Sequence, residues 1–442
     1  MNAFNANGFS HPGLNARQPG GNDGSSDARP MAVIIGSGFG GLAAAIRLSV
    51  KGYQVKVLEK LDAPGGRAYV HRQDGFTFDA GPTIITAPFL LEELWTLCGK
   101  KFADDVTLVP MDPFYRIRFD DGTWFDYSAD EAKMLDEVAR FCPEDVQGYL
   151  DFVKDAERCK TLGFEGLGSI AFDTLGDLIK AIPSFLKMGA WRSIYALVAK
   201  HFSNDKLRTV MSFHPLLIGG NPFSVTAAYA LINSLERTWG VHSAMGGTGA
   251  IVKGMVGLLE SRGIQLTCNA PVTQIRIENG KACGVELANG EFIAADIVVS
   301  NADTAWTYKN LVAPQHRRHW TNRKIENGRY SMGLFVWYFG TSKQYHDVPH
   351  HMMVLGPRYK GLLTDIFKRH HLAKDFSLYL HRPTATDPSL APTGCDTFYA
   401  LSPVPHLDSG TDWVQYAETY RAAIAEALEA SVLPGLRESI VT

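Results

Sequence analysis

The first apolar run of the chain, Met31–Ile35 (MAVII), leads into a glycine-rich stretch, residues 36–41, and then into residues 42–50, where apolar positions recur at helical spacing until Gly52. Residues 54–59 (QVKVLE) alternate polar and apolar positions and predict a second strand. A strand–helix–strand unit of this length predicts parallel strands in a doubly wound sheet. From about residue 90 to 240 the pattern changes to apolar faces at helical spacing with short breaks, as in 90–97 and 185–202. A second α/β stretch follows, with a helix over 249–261 and extended runs at 265–268, 272–278, 283–287 and 292–300. The turn dipeptides Asn279-Gly280 and Asn289-Gly290 fall between those runs and predict hairpins. Further strands are expected at 334–339 and 398–401, then a helix over 412–433.

Composition narrows the class. Hydrophobic residues make up 45% of 442 and charged residues 20%, which suits a large folded core. Lys and Arg number 43 against 46 Asp and Glu, a net charge of −3, so no global field draws the chain to nucleic acid or anionic lipid. The cysteines, at 98, 142, 159, 268, 283 and 395, form no CxxC pair and no zinc spacing, so isolated reduced thiols are expected. Residues 1–30 are rich in Asn, Gly, Ser and Pro without an apolar centre, which predicts a disordered tail rather than a signal peptide. The apolar stretch over 31–50 is broken by glycines and Arg47, so it predicts a buried strand, turn and helix rather than a membrane span. The adjacent pairs His350-His351 and His370-His371 put neighbouring side chains on opposite sides of any element, so both pairs are expected at the surface. No Ser/His/Asp arrangement, HExxH or Walker motif is present, which suits cofactor-centred chemistry.

The chemistry-bearing motif is the glycine-rich turn. Gly36-Ser37-Gly38-Phe39-Gly40-Gly41 matches G-x-G-x-x-G, follows a strand and opens a helix. Gly36 allows the tight turn, Gly38 lets backbone amides approach a pyrophosphate, and Gly41 lets the helix pack on the strand. Glu59, ending the second strand, can accept ribose hydroxyl protons and would repel a 2′-phosphate. The alternative is an ordinary glycine turn in a βα unit. FAD and NAD share such a cradle, so the next segment bears on the choice. Pro64-Gly65-Gly66-Arg67 places a guanidinium where it can reach a pyrophosphate, with a surface ion pair as the alternative for Arg67.

The blocks GSGFGGLAAAIRL (36–48), LEKLDAPGGRAYV (58–70), GFTFDAGPTIIT (75–86), LLIGGNPF (216–223), GGTGAIVKGM (246–255), LGPRY (355–359), DFSLYLH (375–381) and SLAPTGCDTFYALSPVPHL (389–407) resemble, in order, the signatures of bacterial-type phytoene desaturases. That resemblance covers nearly everything after residue 31. It implies a flavin amine oxidase-like α/β fold: a Rossmann-like FAD-binding domain with an interleaved, α+β substrate domain facing a membrane. The division it implies is an FAD-binding part over 31–95, a mainly helical substrate part over 96–240, a second FAD-binding part over 241–303, and substrate-domain strands and helix over 304–442. Carried over by residue, Gly36, Gly38, Gly41, Glu59 and Arg67 would hold FAD, Val272 would meet the adenine through its backbone, and Gly81, Pro82 and Thr83 would lie near the isoalloxazine. The implied substrates are phytoene and partly desaturated carotenes, with neurosporene or lycopene as product and a quinone or oxygen as electron acceptor. The implied location is cytoplasmic and peripheral to a membrane. The chain departs from the pattern at Ala244-Met245, where the family often carries a cation, and it ends at Thr442, before a second flavin segment expected from the family.

Removing a hydride from one carbon and a proton from its neighbour calls for a base. Asp177 and Lys180 lie at i and i+3 beside Leu178, Ile179 and Ile182, and a carboxylate in apolar surroundings has a raised pKa. They are the candidate catalytic pair, with an exposed intrahelical ion pair as the alternative. Residues 181–202 interleave aromatic and aliphatic residues with Lys187, Arg192 and Lys200, as an interfacial helix does, or as a helix packed on a substrate cavity does. Two rival functions remain open. One is another flavin oxidoreductase of this fold, such as a carotenoid isomerase or ketolase or an amine oxidase. The other is a non-catalytic prenyl-lipid carrier. No metal site is expected, and the oligomeric state has no signal in the sequence.

Overall fold

The computed structural model describes residues 29–442, so all but the end of the expected tail lies outside the described residues. The chain forms two units. One takes the chain up to Gly66, Leu94–Lys100 and Met255–Glu326; the other takes Arg67–Glu93, Lys101–Gly254 and Asn327–Thr442.

The first unit is built on a parallel sheet of four strands in the order Ile297–Ser300, Met31–Ile35, Gln54–Leu58, Gln265–Thr267. Met31–Ile35 is central, and Ala32, Val33 and Ile34 are fully buried, as a strand covered on both faces requires. Its continuous apolar run is the sequence mark of that position. The helix Phe39–Val50 follows, burying Leu42, Ala45 and Ile46. Beside this sheet lies an antiparallel meander, Val272–Glu278, Lys281–Leu287 and Phe292–Ala294. Asn279 and Gly280 both have positive φ, at 50° and 78°, the backbone a type I′ hairpin turn needs. The single extended run expected over 292–300 is two strands serving two sheets. They separate at Ala295-Asp296, where the Asp296 carboxylate accepts the Met31 amide at 2.8 Å.

The second unit carries a mixed sheet of six strands, ordered Gly333–Thr341, Asp396–Val404, Leu378–His381, His351–Val354, Tyr115–Arg118, Trp124–Tyr127. All neighbours are antiparallel except His351–Val354 with Tyr115–Arg118. Side chains alternate between two buried faces. Met352, Leu380, Phe398 and Ala400 pack with Ile424 and Leu428 of the helix Trp413–Ser431. On the other face Tyr115, Ile117, Phe125, Tyr127 and Met353 pack with Tyr149, Phe152 and Phe202 of the helical region. That region holds Glu131–Phe141, Val146–Cys159, Asp205–Ser212 and Leu231–Trp239, as the periodicity over 90–240 predicts.

The stretch 181–202 does not act as one interfacial helix. Its second half is core: Ile194, Leu197, Val198 and Phe202 are buried. The exposed apolar face lies earlier, on the helix Leu175–Lys187, where Leu175 is 74% exposed and Leu178, Ile179, Ile182 and Leu186 are also open, with Trp191 just beyond at 67%.

Candidate dinucleotide and active site

In the first unit the chain leaves the sheet at Ile35, and Gly36, at φ 90°, turns it so that its amide bonds the Leu58 carbonyl at 2.7 Å. A Cβ on Gly41 would stand 2.0 Å from the Gly36 carbonyl oxygen, so the helix can begin against its own turn only with glycine there. Gly38 is the residue before the helix, and Gly66, at φ 58°, comes close enough that its Cβ would lie 3.1 Å from the Gly38 Cα. The Gly65 amide bonds the Ser37 carbonyl at 3.1 Å. The two glycines of the Gly-Gly-Arg loop therefore sit on the glycine turn itself.

Glu59 is buried, with no more than 4% exposed. Its Oε2 accepts the Ser37 amide at 2.8 Å and the Ser37 hydroxyl at 2.7 Å, and its Oε1 accepts the Leu61 amide at 2.9 Å. A carboxylate offers about four lone-pair sites, so roughly one, on Oε1, is left for a ribose hydroxyl. Val272 begins the meander, pairs with Leu287 and packs in the same cluster as Ile35 and Leu58. Asn301, one residue past Ile297–Ser300, is a part of this cradle that motif reading missed. Its amide bonds the Ile35 carbonyl at 2.8 Å, and its side chain would meet a Cβ on Gly38 at 2.9 Å and on Gly40 at 2.5 Å. Only the register of parallel strands puts it there, and no local pattern announces it.

In the second unit Arg67 is exposed. Gly81 packs on its backbone so closely that a Cβ would come 1.9 Å from the Arg67 carbonyl oxygen. Thr248 donates its hydroxyl to the Pro82 carbonyl at 2.6 Å. Thr83 is buried, its Oγ1 3.1 Å from the Tyr379 hydroxyl and 3.0 Å from that of Tyr399. Asp79, in the same FDAGPT block, accepts the Thr248 amide at 2.9 Å. Burial pushes its carboxyl pKa up, against the lowering pull of the Thr248 and Gly249 amides. Two blocks separated by 169 positions thus close on one another, a pairing the linear reading did not foresee.

Two expectations are corrected. Asp177 does not sit in apolar surroundings with a raised pKa. It is the third residue of its helix, its carboxylate accepts the Thr174 hydroxyl at 2.7 Å, and that hydrogen bond holds it below the usual carboxylate range. Lys180 lies exposed on the same helix. Nor are both histidine pairs at the surface: His370 and His371 are exposed, but His350 and His351 are buried, beside His381. The alternation rule assumes that one side of an element meets solvent, and this sheet is covered on both.

The glycine turn and its buried carboxylate have the form of a dinucleotide cradle. Residues 39–392 match the model of the flavin containing amine oxidoreductases. A neurosporene-forming phytoene desaturase of Cereibacter sphaeroides is 50% identical over 421 residues, spanning 94% of this chain and 81% of that protein. A lycopene-forming phytoene desaturase of Pseudescherichia vulneris is 44% identical over 411 residues, spanning 93% and 84%. The chain belongs to the flavin containing amine oxidoreductases and, within them, to the bacterial phytoene desaturases. An oxidoreductase from Methanosarcina mazei shares the fold at a TM-score of 0.61 and 20% identity, over 92% of this chain and 85% of that one. Membership makes this chain a flavin-dependent oxidoreductase.

Proposed function

We propose that the chain is an FAD-dependent desaturase that converts phytoene through partly desaturated intermediates to neurosporene or lycopene. The observation that carries this reading is the glycine cradle closed over by Gly65-Gly66, with Glu59 buried at its edge. Gly36, Gly38 and Gly41 leave room for a pyrophosphate at the N-terminus of Phe39–Val50. Glu59 takes a ribose hydroxyl, the Val272 backbone meets the adenine, and Arg67 supplies a guanidinium to the phosphates. Gly81, Pro82 and Thr83 would be the residues that meet the isoalloxazine. When bound, the flavin supplies the acceptor for a hydride from one allylic carbon, the neighbouring carbon loses a proton, and a C=C bond forms. The two electrons pass on to a quinone or to oxygen. Asp177, ionised in a helix cap, fits a structural part.

A C40 hydrocarbon is stored in lipid, so the enzyme must meet a bilayer. Among the described residues no helix is long and apolar enough to cross one. The exposed face of Leu175–Lys187 supports a peripheral contact at the cytoplasmic side, with Lys180, Lys187 and Arg192 at hand for anionic headgroups. The test is an absorption spectrum of the protein with added FAD, then incubation with phytoene in liposomes and chromatography of the polyenes. Flavin bands with stepwise red-shifted products are expected. Flavin without phytoene turnover would move the reading to another oxidoreductase of the fold, and absence of flavin would revive a lipid carrier.

A further inference from the structure

His350, His351 and His381 are 6%, 1% and 2% exposed and cluster at the six-stranded sheet. His351 and His381 are direct partners across neighbouring strands, and His350 precedes the first of those strands. One ring nitrogen of each lies within 4.8 Å of the other two. His350 Nε2 and His381 Nε2 face each other at 3.0 Å, so only one of them can carry the proton between them. On their far sides His350 Nδ1 meets the Thr386 hydroxyl at 2.6 Å and His351 Nδ1 meets the Tyr379 hydroxyl at 2.6 Å. His351 Nε2 and His381 Nδ1 are buried without a hydrogen-bond partner. Among the described residues no carboxylate pairs with any of the three rings.

From this arrangement we infer that His350, His351 and His381 form a binding site for one divalent late first-row transition-metal ion, of which Zn²⁺ is the type. Three neutral imidazoles with neither carboxylate nor thiolate suit zinc and its neighbours, and not calcium or magnesium, which take oxygen ligands. Arg382, next in the chain after His381, is paired with the buried Asp396, 2.7 Å away, so no bare cation is left beside the site. Metal-nitrogen bonds of about 2.1 Å set tetrahedral ligands about 3.4 Å apart. The His350–His381 pair, at 3.0 Å, is already near that spacing, and a ring nitrogen of His351 lies within 4.8 Å of both. Thr386 and Tyr379 then stand where partners of metal-bound histidines stand, on the other ring nitrogen. Three nitrogens leave a fourth position for a small ligand.

Occupancy has a local consequence. With Nε2 on the ion, His351 must carry its proton on Nδ1 and donate to Tyr379, whose hydroxyl is 3.1 Å from Thr83. The ion would orient a row of hydroxyls ending at Thr83 and Tyr399. The site itself does not depend on the flavin reading.

The tag-free chain, stripped with a chelator and then loaded with Zn²⁺ or Co²⁺ and desalted, is assayed for metal by mass spectrometry and for Co²⁺ ligand-field bands. About one ion per chain is expected, bound at least tenfold more weakly in His381→Ala and His350→Gln, and unchanged in His370→Ala. Tyr379→Phe should keep the stoichiometry and lower affinity by about 10–100-fold. If the histidine variants misfold, X-ray absorption of the loaded wild type decides, with about three imidazole nitrogens expected. No retained metal, retention equal in wild type and His381→Ala, or a coordination shell without imidazole would overturn the inference.

Discussion

A methyl group placed on Gly41 has nowhere to go, because the obstacle at 2.0 Å is a carbonyl oxygen of its own turn. Gly41→Ala should cost about 1–3 kcal/mol by overpacking and abolish flavin retention, read by urea midpoint and by absorbance after desalting. Glu59→Gln keeps the shape but turns an amide NH₂ toward the Ser37 or Leu61 donors. A loss of about 1–3 kcal/mol is expected for the buried group left unpaired, with weaker flavin binding in titration. Asp79 gives a pH signature. Its folded pKa lies above the unfolded value of 3.8, so the folded state holds the proton more tightly. Its contribution is therefore fully present below 3.8 and is lost as pH rises through the folded pKa. Asp79→Asn should flatten that part of the profile, seen as a wild-type-minus-variant stability difference that shrinks between acid and neutral pH. At this scale the sequence was legible for the turn and its neighbours, because Gly36, Gly38, Gly41 and Glu59 fall at a fixed spacing around one βαβ unit. It was opaque for Asn301 and for Asp79 with Thr248, because strand register and chain closure over long separations bring them together.

Between residues and the molecule stands the helix Leu175–Lys187. Thr174 and Asp177 close a reciprocal cap at its start, and its apolar side chains face outward. A double change, Leu178→Asp with Ile179→Asp, should leave the fold intact within about 0.5 kcal/mol per exposed site. It should reduce cosedimentation with anionic liposomes by about tenfold or more, since each buried aliphatic side chain contributes on the order of 1–2 kcal/mol. Unchanged partitioning would remove this face from the membrane contact. The amphipathic composition was readable, but its position was not. Leu197 and Val198 have the same apolar character as Ile179 and Ile182, and only tertiary packing decides which set is covered. The run at 292–300 misled for a similar reason: two residues without strand pairing divide it, and apolar periodicity does not register that break.

For the molecule as a whole, both units are assembled from segments far apart in the chain. The strand Asp396–Val404 sits next to the edge strand Gly333–Thr341, and the helix Trp413–Ser431 covers Phe339, Leu380, Phe398 and Ala400. Deleting residues 413–442 would strip that cover and expose a contiguous apolar face. An aggregated product, or one whose 8-anilinonaphthalenesulfonate fluorescence rises sharply, is expected; a soluble chain with native circular dichroism would contradict this account of the core.

One consequence follows from the way Ser37 and Leu61 already hold Glu59. A carboxylate anchored by its own chain spends no conformational entropy when a ligand arrives, so the cradle is ready-made rather than moulded around its guest. Loading should then be a single fast bimolecular phase whose rate scales with cofactor concentration. A newly made polypeptide could finish folding first and collect its cofactor later.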